Sequence, residues 1–335
     1  MVACAAGLLQ FNVGYGMGLT STMIAQLTGS YLDQATSSWF ASSLTIGQAL
    51  GSVLGGGLAN KLGRKRVCMF AAAASILSWV LLSSSQAFWM LILGRILTGL
   101  FDSLSVPGGY MYIAEVSETR FRGSLLNSTD ILGGLGIASG YLFGSTLPWR
   151  YSCCVAMLIN IISILILCFC HESPVFLLMK DKALFHDPAL RSFSWCRQMS
   201  IQPQEIKVEL QKELRSMESA ASSFKKQNGI KDMVTNLFTG DSLRPFLIVL
   251  GLFLLYPISG LYNIAFFAVS LFQELELGGV ETVAVFTALV RVAGTLCSTL
   301  LLFRWGGVLQ QQWGSFHCHC IVSSQVWKED DISSH

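Results

Sequence analysis

WFASSLTIGQALGSVLGGGLANKLGRKRVCMFAAAASILSWVLLSS, residues 39–84, is two apolar runs joined by one short basic loop. The runs at 39–59 and 67–84 approach the ~20 predominantly apolar residues that a helix needs to cross a bilayer. Between them stand Lys61, Arg64, Lys65 and Arg66. Outward from this stretch, further runs of the same kind occupy 3–27, 88–114, 125–147, 151–170, 245–272 and 280–303. In lipid each must be helical, because a helix satisfies its own backbone hydrogen bonds.

The composition agrees with that reading. The 335 residues are 52% hydrophobic and 13% charged, against about 25% charged in soluble domains. The expected fold class is therefore all-α, a polytopic membrane protein with the lipid bilayer as its solvent. A net charge of +2, scattered in short clusters, gives no footprint for nucleic acid. No nucleophile, base and orienting group recur together, so no enzyme activity and no cofactor are expected. Most of the ten cysteines lie within apolar runs, where a thiol behaves as a small hydrophobe. His317, Cys318, His319 and Cys320 lack zinc-ligand spacing, and no metal site is assigned to them.

Basic residues also set an orientation. Lys61, Arg64, Lys65 and Arg66 follow the second run, and Arg120 and Arg122 follow the fourth, whereas the intervening loops hold almost no Lys or Arg. The positive-inside rule then makes these loops, the amino terminus and the long polar segment 171–244 cytoplasmic. Within that segment Ile206, Leu210, Leu214 and Met217 recur at helical spacing, which predicts amphipathic helices lying against the bundle. The alternative for it is a plain linker.

Several short motifs follow one another along the chain: Gly14-Tyr15, Ser38-Trp39-Phe40-Ala41-Ser42, and Gly57-Leu58-Ala59-Asn60-Lys61-Leu62-Gly63-Arg64-Lys65. Then come Gly94-Arg95 with Gly99, Tyr112-Ile113-Ala114-Glu115-Val116-Ser117, Arg122-Gly123, Glu172-Ser173-Pro174 and Ser259-Gly260. In this order they resemble the sugar porters of the major facilitator superfamily, and among them the insect trehalose-type facilitated transporters. The resemblance covers roughly residues 7–305. It implies a six-helix amino-terminal bundle at 1–170, a cytoplasmic loop at 171–244, the first two helices of a second bundle at 245–303, and an atypical polar tail at 304–335. LANKLGR at 58–64 has a degenerate echo in LLFRWGG at 301–307, as expected of parallel transporter halves. The same offset places the end of a complete second half beyond His335, so spans nine to twelve are expected to be absent. An alternative splice or a frameshifted gene model beginning near Gly307 is the expected origin of the tail.

The resemblance also assigns roles. Arg64, Lys65, Arg95, Glu115, Arg122 and Glu172 would form a gating charge network at the cytoplasmic span ends, with Arg95 paired to Glu115, Glu172 or a backbone carbonyl. His171 and Val175 depart from the family pattern there and weaken the latch. Tyr15, Asp130, Tyr256, Ser259, Tyr262 and Asn263 would contact a small-molecule sugar, with Asp130 where the family carries a glutamine. For Tyr256 and Tyr262 the alternative is packing between helices; for Asp130 it is proton carriage. Asp102, seven residues after Arg95 on one helix face, reads as that arginine's structural partner. Gly47, Gly51, Gly55, Gly56 and Gly57 form a small-residue ridge, for sliding or for static packing.

Gly16 stands where proton-coupled relatives carry an acid, so the implied activity is facilitated sugar transport by alternating access. The alternatives are a non-transporting isoform that associates with a full-length transporter as a sensor or regulatory partner, and a proton-coupled solute symporter.

Overall fold

A computed structural model describes residues 1–28, 33–117, 119–173, 176–177, 247, 251, 285–286, 289–290 and 292–297. The readings made for the rest of 171–303, and for the polar tail, fall outside these residues. Six long helices run in alternating directions: α1 (Val2–Leu27), α2 (Gln34–Leu62), α3 (Arg64–Ser83), α4 (Phe88–Val116), α5 (Thr119–Thr146) and α6 (Trp149–Phe169). No strand occurs among the described residues.

The boundaries follow from local chemistry. Asp33 and Thr36 form a capping box at the start of α2, satisfying amide groups that an uncapped helix leaves without partners. A single residue, Gly63, separates α2 from α3, with φ 107°. Side chains are rarely tolerated at that dihedral, whereas glycine reaches it freely. A β-carbon there would also lie 2.7 Å from a Glu172 carboxylate oxygen. Both ends of α2 and the start of α5 extend past their apolar runs, because capping and helix geometry continue where hydropathy has ended.

Among the described residues α1, α3, α4 and α6 are long and apolar enough to cross a membrane by themselves. α2 and α5, also expected as spans, fall short of that apolarity. They are rich in glycine, serine and threonine, and the packing supplies the reason. α2 lies chiefly along α4, and α5 along α1. A β-carbon at Gly47 or Gly51 would collide with the carbonyl oxygens of Ile96 or Leu100, and one at Gly136 with that of Phe11. At Gly55 it would lie 2.5 Å from the Leu104 oxygen, and at Gly140 2.7 Å from the Tyr15 oxygen. The partners reciprocate through Gly99 against Leu44 and through Gly14 and Gly18 against Gly133 and Ile137. Close backbone approach of this kind drives helix association in lipid, where apolar burial gives no advantage. Gly56 and Gly57 do not belong to the ridge, since a β-carbon at either would meet open space.

The contacts are symmetric. Exchanging α1, α2 and α3 for α4, α5 and α6 carries α1·α5 onto α4·α2 and α3·α4 onto α6·α1, and leaves α1·α4 and α3·α6 in place. This is the contact pattern of an inverted three-helix repeat within a six-helix bundle. One core cluster, around Tyr15, Phe40, Trp79 and Leu19, fills the bundle toward the ends of α1 and α3. A second, around Ala5, Leu9, Cys68, Tyr112 and Leu167, fills the end from which α1 and α3 start. Val53, Leu77, Trp89, Leu165 and Phe169 point outward, as side chains facing hydrocarbon do.

Thermal unfolding of detergent-solubilised variants checks the glycine contacts. Gly51→Ala and Gly136→Ala are each expected to destabilise by about 1–3 kcal/mol through overpacking. Gly57→Ala, in open space, should leave the melting temperature unchanged or raise it.

Candidate functional site

Charge gathers at the end of the bundle where α2 meets α3. Arg64 donates from Nε at 3.0 Å and from Nη2 at 2.8 Å to Glu115 Oε1, and from Nη1 to the Ala59 carbonyl at 3.2 Å. Its guanidinium stacks over the Phe176 ring, 5.2 Å from the centroid. The other Glu115 oxygen accepts from the Ser173 hydroxyl. Glu172 Oε1 accepts from the main-chain amides of Lys65 at 2.9 Å and Ser173 at 3.2 Å. The Lys65 ammonium caps the end of α6, donating to the Cys170 carbonyl at 2.7 Å and the Cys168 carbonyl at 3.3 Å. The Tyr112 hydroxyl donates to the His171 carbonyl.

α2, α3, α4 and the stretch after α6 are thus stitched together by the expected Arg64, Lys65, Glu115 and Glu172. Lys65 takes part through its amide and a carbonyl cap, without pairing with a carboxylate. Arg64 and Glu115 form the one ion pair found among the described residues, with side chains 5% and 15% exposed. At that burial, removing one partner strands the other charge.

Two members of the expected network stay out of these contacts: Arg122 in the first turn of α5, and Arg95 far along α4. Arg122 is half-buried on α5, and its Nε has no hydrogen-bond partner among the described residues. Arg95 sits near the start of α4, some 30 Å from Glu115 at about 1.5 Å rise per residue. It is fully buried there, donating to the Gly16 carbonyl at 3.3 Å and toward Met23 Sδ, with its guanidinium 4.7 Å above the Phe40 ring. Of the partners expected for it, the backbone carbonyl is the one found.

Nor does Asp102 pair with Arg95. Its Oδ1 accepts from Asn12 Nδ2 at 2.9 Å and from the Ser75 hydroxyl. Asn160 Nδ2 in turn donates to Ser75 Oγ at 3.1 Å. Seven residues place Arg95 and Asp102 on one face of α4, but about 10 Å apart along its axis, and side chains from α1 and α3 arrive first.

Of the expected sugar contacts, Tyr15 is buried in the bundle core. Its hydroxyl donates to the Ser152 carbonyl at 2.8 Å, and its ring meets Trp79 edge-on at 6.4 Å. Asp130 is half-buried on α5 and accepts from the Tyr110 hydroxyl of α4 at 2.7 Å. Beside it Ala6, Leu9, Gln10, Ser105, Tyr110 and Thr129 line a small open cleft between α1, α4 and α5. One helical turn from Asp130, Gly134 meets Val292, whose methyl would lie 2.9 Å from a β-carbon placed there. Asp130 therefore faces the same side as a residue of the 280–303 run. Tyr256, Ser259, Tyr262 and Asn263 fall outside the described residues. The sequence reading missed Asn12, Ser75, Asn160 and Tyr110; amides inside apolar runs were the available signal.

With this geometry in hand, comparisons with known proteins are informative. A family model described as sugar (and other) transporter matches residues 1–323. The solute carrier family 2 facilitated glucose transporter member 8 of Bos taurus is 27% identical over 313 residues, covering 91% of this chain and 61% of that protein. The facilitated trehalose transporter Tret1 of Bombyx mori is 25% identical over 311 residues, covering 91% of this chain and 59% of that protein. The chain thus spans about three fifths of the length of these curated relatives. The xylose transporter XylE from E. coli, in a partially occluded inward-open conformation, superposes with a TM-score of 0.68 at 16% identity, over 91% of this chain and 73% of that one. The fold is that of a major facilitator, with its first six-helix bundle present.

Arg64→Ala should lower stability by about 3–5 kcal/mol, the usual cost of stranding a buried charge. Substituting the exposed Lys61 should change it by no more than about 0.5 kcal/mol. Denaturant or thermal unfolding of the two purified variants compares them directly.

Proposed function

This chain belongs to the sugar (and other) transporter family, and we propose that it carries a sugar, a hexose or trehalose, across the cell membrane by facilitated diffusion with alternating access. The observation that carries the reading is a clamp at one end of a bundle that bears, on one side, a mainly apolar cleft with a few polar groups. Arg64, Glu115, Ser173 and Glu172 tie α2, α3, α4 and the chain after α6 together at that end. Every member of the clamp is polar, so a conformation that admits water there exchanges each bond for one to solvent at little cost. Closed, the clamp favours one of two states; opened, it releases the other.

The basic residues beside the clamp, Lys61 to Arg66, support a cytoplasmic face for it, shared with the amino terminus. Sugar is recognised by polar side chains that pair with its hydroxyls inside a mainly apolar cleft. Gln10, Tyr110 and Asp130 are the groups of the first bundle that offer such contacts. Asp130 is the strongest acceptor among them, and Tyr110 orients it. Tyr256, Ser259, Tyr262 and Asn263 complete the site from the second bundle in this proposal. The related glucose and trehalose transporters supply the choice of solute.

Reconstitution into proteoliposomes tests the reading, using radiolabelled glucose and trehalose in parallel. The proposal expects saturable uptake driven by the solute gradient alone and abolished by Glu115→Ala. Asp130→Ala should raise KM about tenfold or more, since losing a hydrogen bond to a charged group costs ~1.5–3 kcal/mol and each ~1.4 kcal/mol is tenfold in affinity. Flux no greater than that of empty vesicles for both sugars would sink it.

A further inference from the structure

At the end of the bundle opposite the clamp, a second set of contacts repeats its design. Exchanging α1–α3 with α4–α6 carries the end of α4, the end of α2 and the start of α3 onto the end of α1, the end of α5 and the start of α6. The residues at these places correspond. Glu115 is the last residue but one of α4, and Gln26 is the last but one of α1. Arg64 opens α3, and Trp149 opens α6. Glu115 accepts from Arg64, which also holds the Ala59 carbonyl near the end of α2. Gln26 Oε1 accepts from the Trp149 amide at 2.8 Å, and its Nε2 donates to the Gly144 and Leu147 carbonyls at the end of α5, at 2.6 and 3.1 Å.

The neighbouring cations correspond as well. Lys65, second in α3, caps the carbonyls that end α6. Arg150, second in α6, donates from Nη2 to the Ser85 carbonyl just past α3 at 3.1 Å, with its guanidinium 5.0 Å from the centroid of the Trp149 ring. Each cation meets the negative end of a helix dipole. The two ends differ in chemistry. The clamp needs an ion pair, whereas an amide both donates and accepts, so Gln26 alone serves α5 and α6. Gln26 is exposed, and its bonds exchange for bonds to water at little cost.

We infer that Gln26 is a positioning residue of the transport cycle. It shuts the end of the bundle opposite the clamp, and its three bonds break in the conformation that opens that end while the clamp stays closed. Inverted repeats exchange roles between the two states of alternating access, so a device that opens at one end has its equivalent opening at the other. The inference rests on the alternating-access reading above and on no choice of solute.

Cysteine labelling of the full chain in lipid nanodiscs, where both faces meet the reagent, tests it with no sugar present. Leu27, beside Gln26 and 1% exposed, and Ala59, beneath the clamp and 0% exposed, are replaced by cysteine in separate proteins. A membrane-impermeant maleimide is then read at each residue by mass spectrometry. Gln26→Ala is expected to speed labelling of Leu27→Cys about fivefold or more. It should also slow labelling of Ala59→Cys, because the population moves to the state with the clamp shut. A merely local brace would not produce that second effect at the far end of the bundle. Gln26→Met keeps the length without the bonds; it should act alike, and it replaces the alanine variant if that one fails to fold. A Leu27→Cys rate that neither variant changes, or one that rises with no fall at Ala59→Cys, would overturn the assignment. Failure of sugar uptake in proteoliposomes would bear on the solute and leave this result standing.

Discussion

Helices surrounded by lipid gain nothing from hiding apolar side chains against one another, so their backbones must come close enough for packing to hold them. In this protein that closeness is delivered by glycine. Gly47, Gly51 and Gly55 of α2 lie against α4, and Gly136 and Gly140 of α5 against α1, each with a carbonyl oxygen where a side chain would begin. The two seams are equivalent under the exchange of α1–α3 with α4–α6. The polar groups of the described bundle are arranged around them. The clamp closes one end, the Asp102 cluster lies between α1, α3, α4 and α6, and the Asp130 cleft opens where α1, α4 and α5 leave a face uncovered.

Glycine seams and a polar clamp suit a molecule with two states. Seams without interdigitating side chains resist tilting less than knobs packed into holes do, because no bulky group has to change rotamer. In the proposed cycle the clamp supplies the bias: a buried pair with 5% and 15% of its side chains exposed is tight while dry and weak once wet. Ser173, Phe176 and Glu172 join the clamp to the chain leaving α6.

Much of this was legible before any coordinates. Apolar runs gave eight helices, the first six of which are α1–α6, and the order of short motifs brought Arg64, Lys65, Glu115 and Glu172 into one group with Arg95 and Arg122. Arg95 was misplaced because it was read with that motif group. Counting along α4 separates it from Glu115 by some 30 Å at about 1.5 Å per residue. Asp102 was matched to Arg95 by helical face alone, which ignores rise; Asn12 and Ser75 come from other helices and leave no trace in local spacing. Gly56 and Gly57 fall off the four-residue spacing that sets Gly47, Gly51 and Gly55 on one helix face, so they were grouped into the ridge against a signal the spacing already held. The weak apolarity of α2 and α5 had a hidden cause, since a seam replaces large side chains with small ones.

The central claim is that the Arg64–Glu115 clamp closes and opens as solute crosses. Ala59 lies fully buried beneath it, with its carbonyl bonded to Arg64. A cysteine introduced at Ala59 and reacted with a membrane-impermeant maleimide, read at that residue by mass spectrometry, reports the clamp directly. The account predicts slow labelling at rest, a changed rate with saturating sugar, and fast labelling at all times when Arg64 is replaced by alanine. A rate that is the same with sugar, without it, and without Arg64 would contradict it.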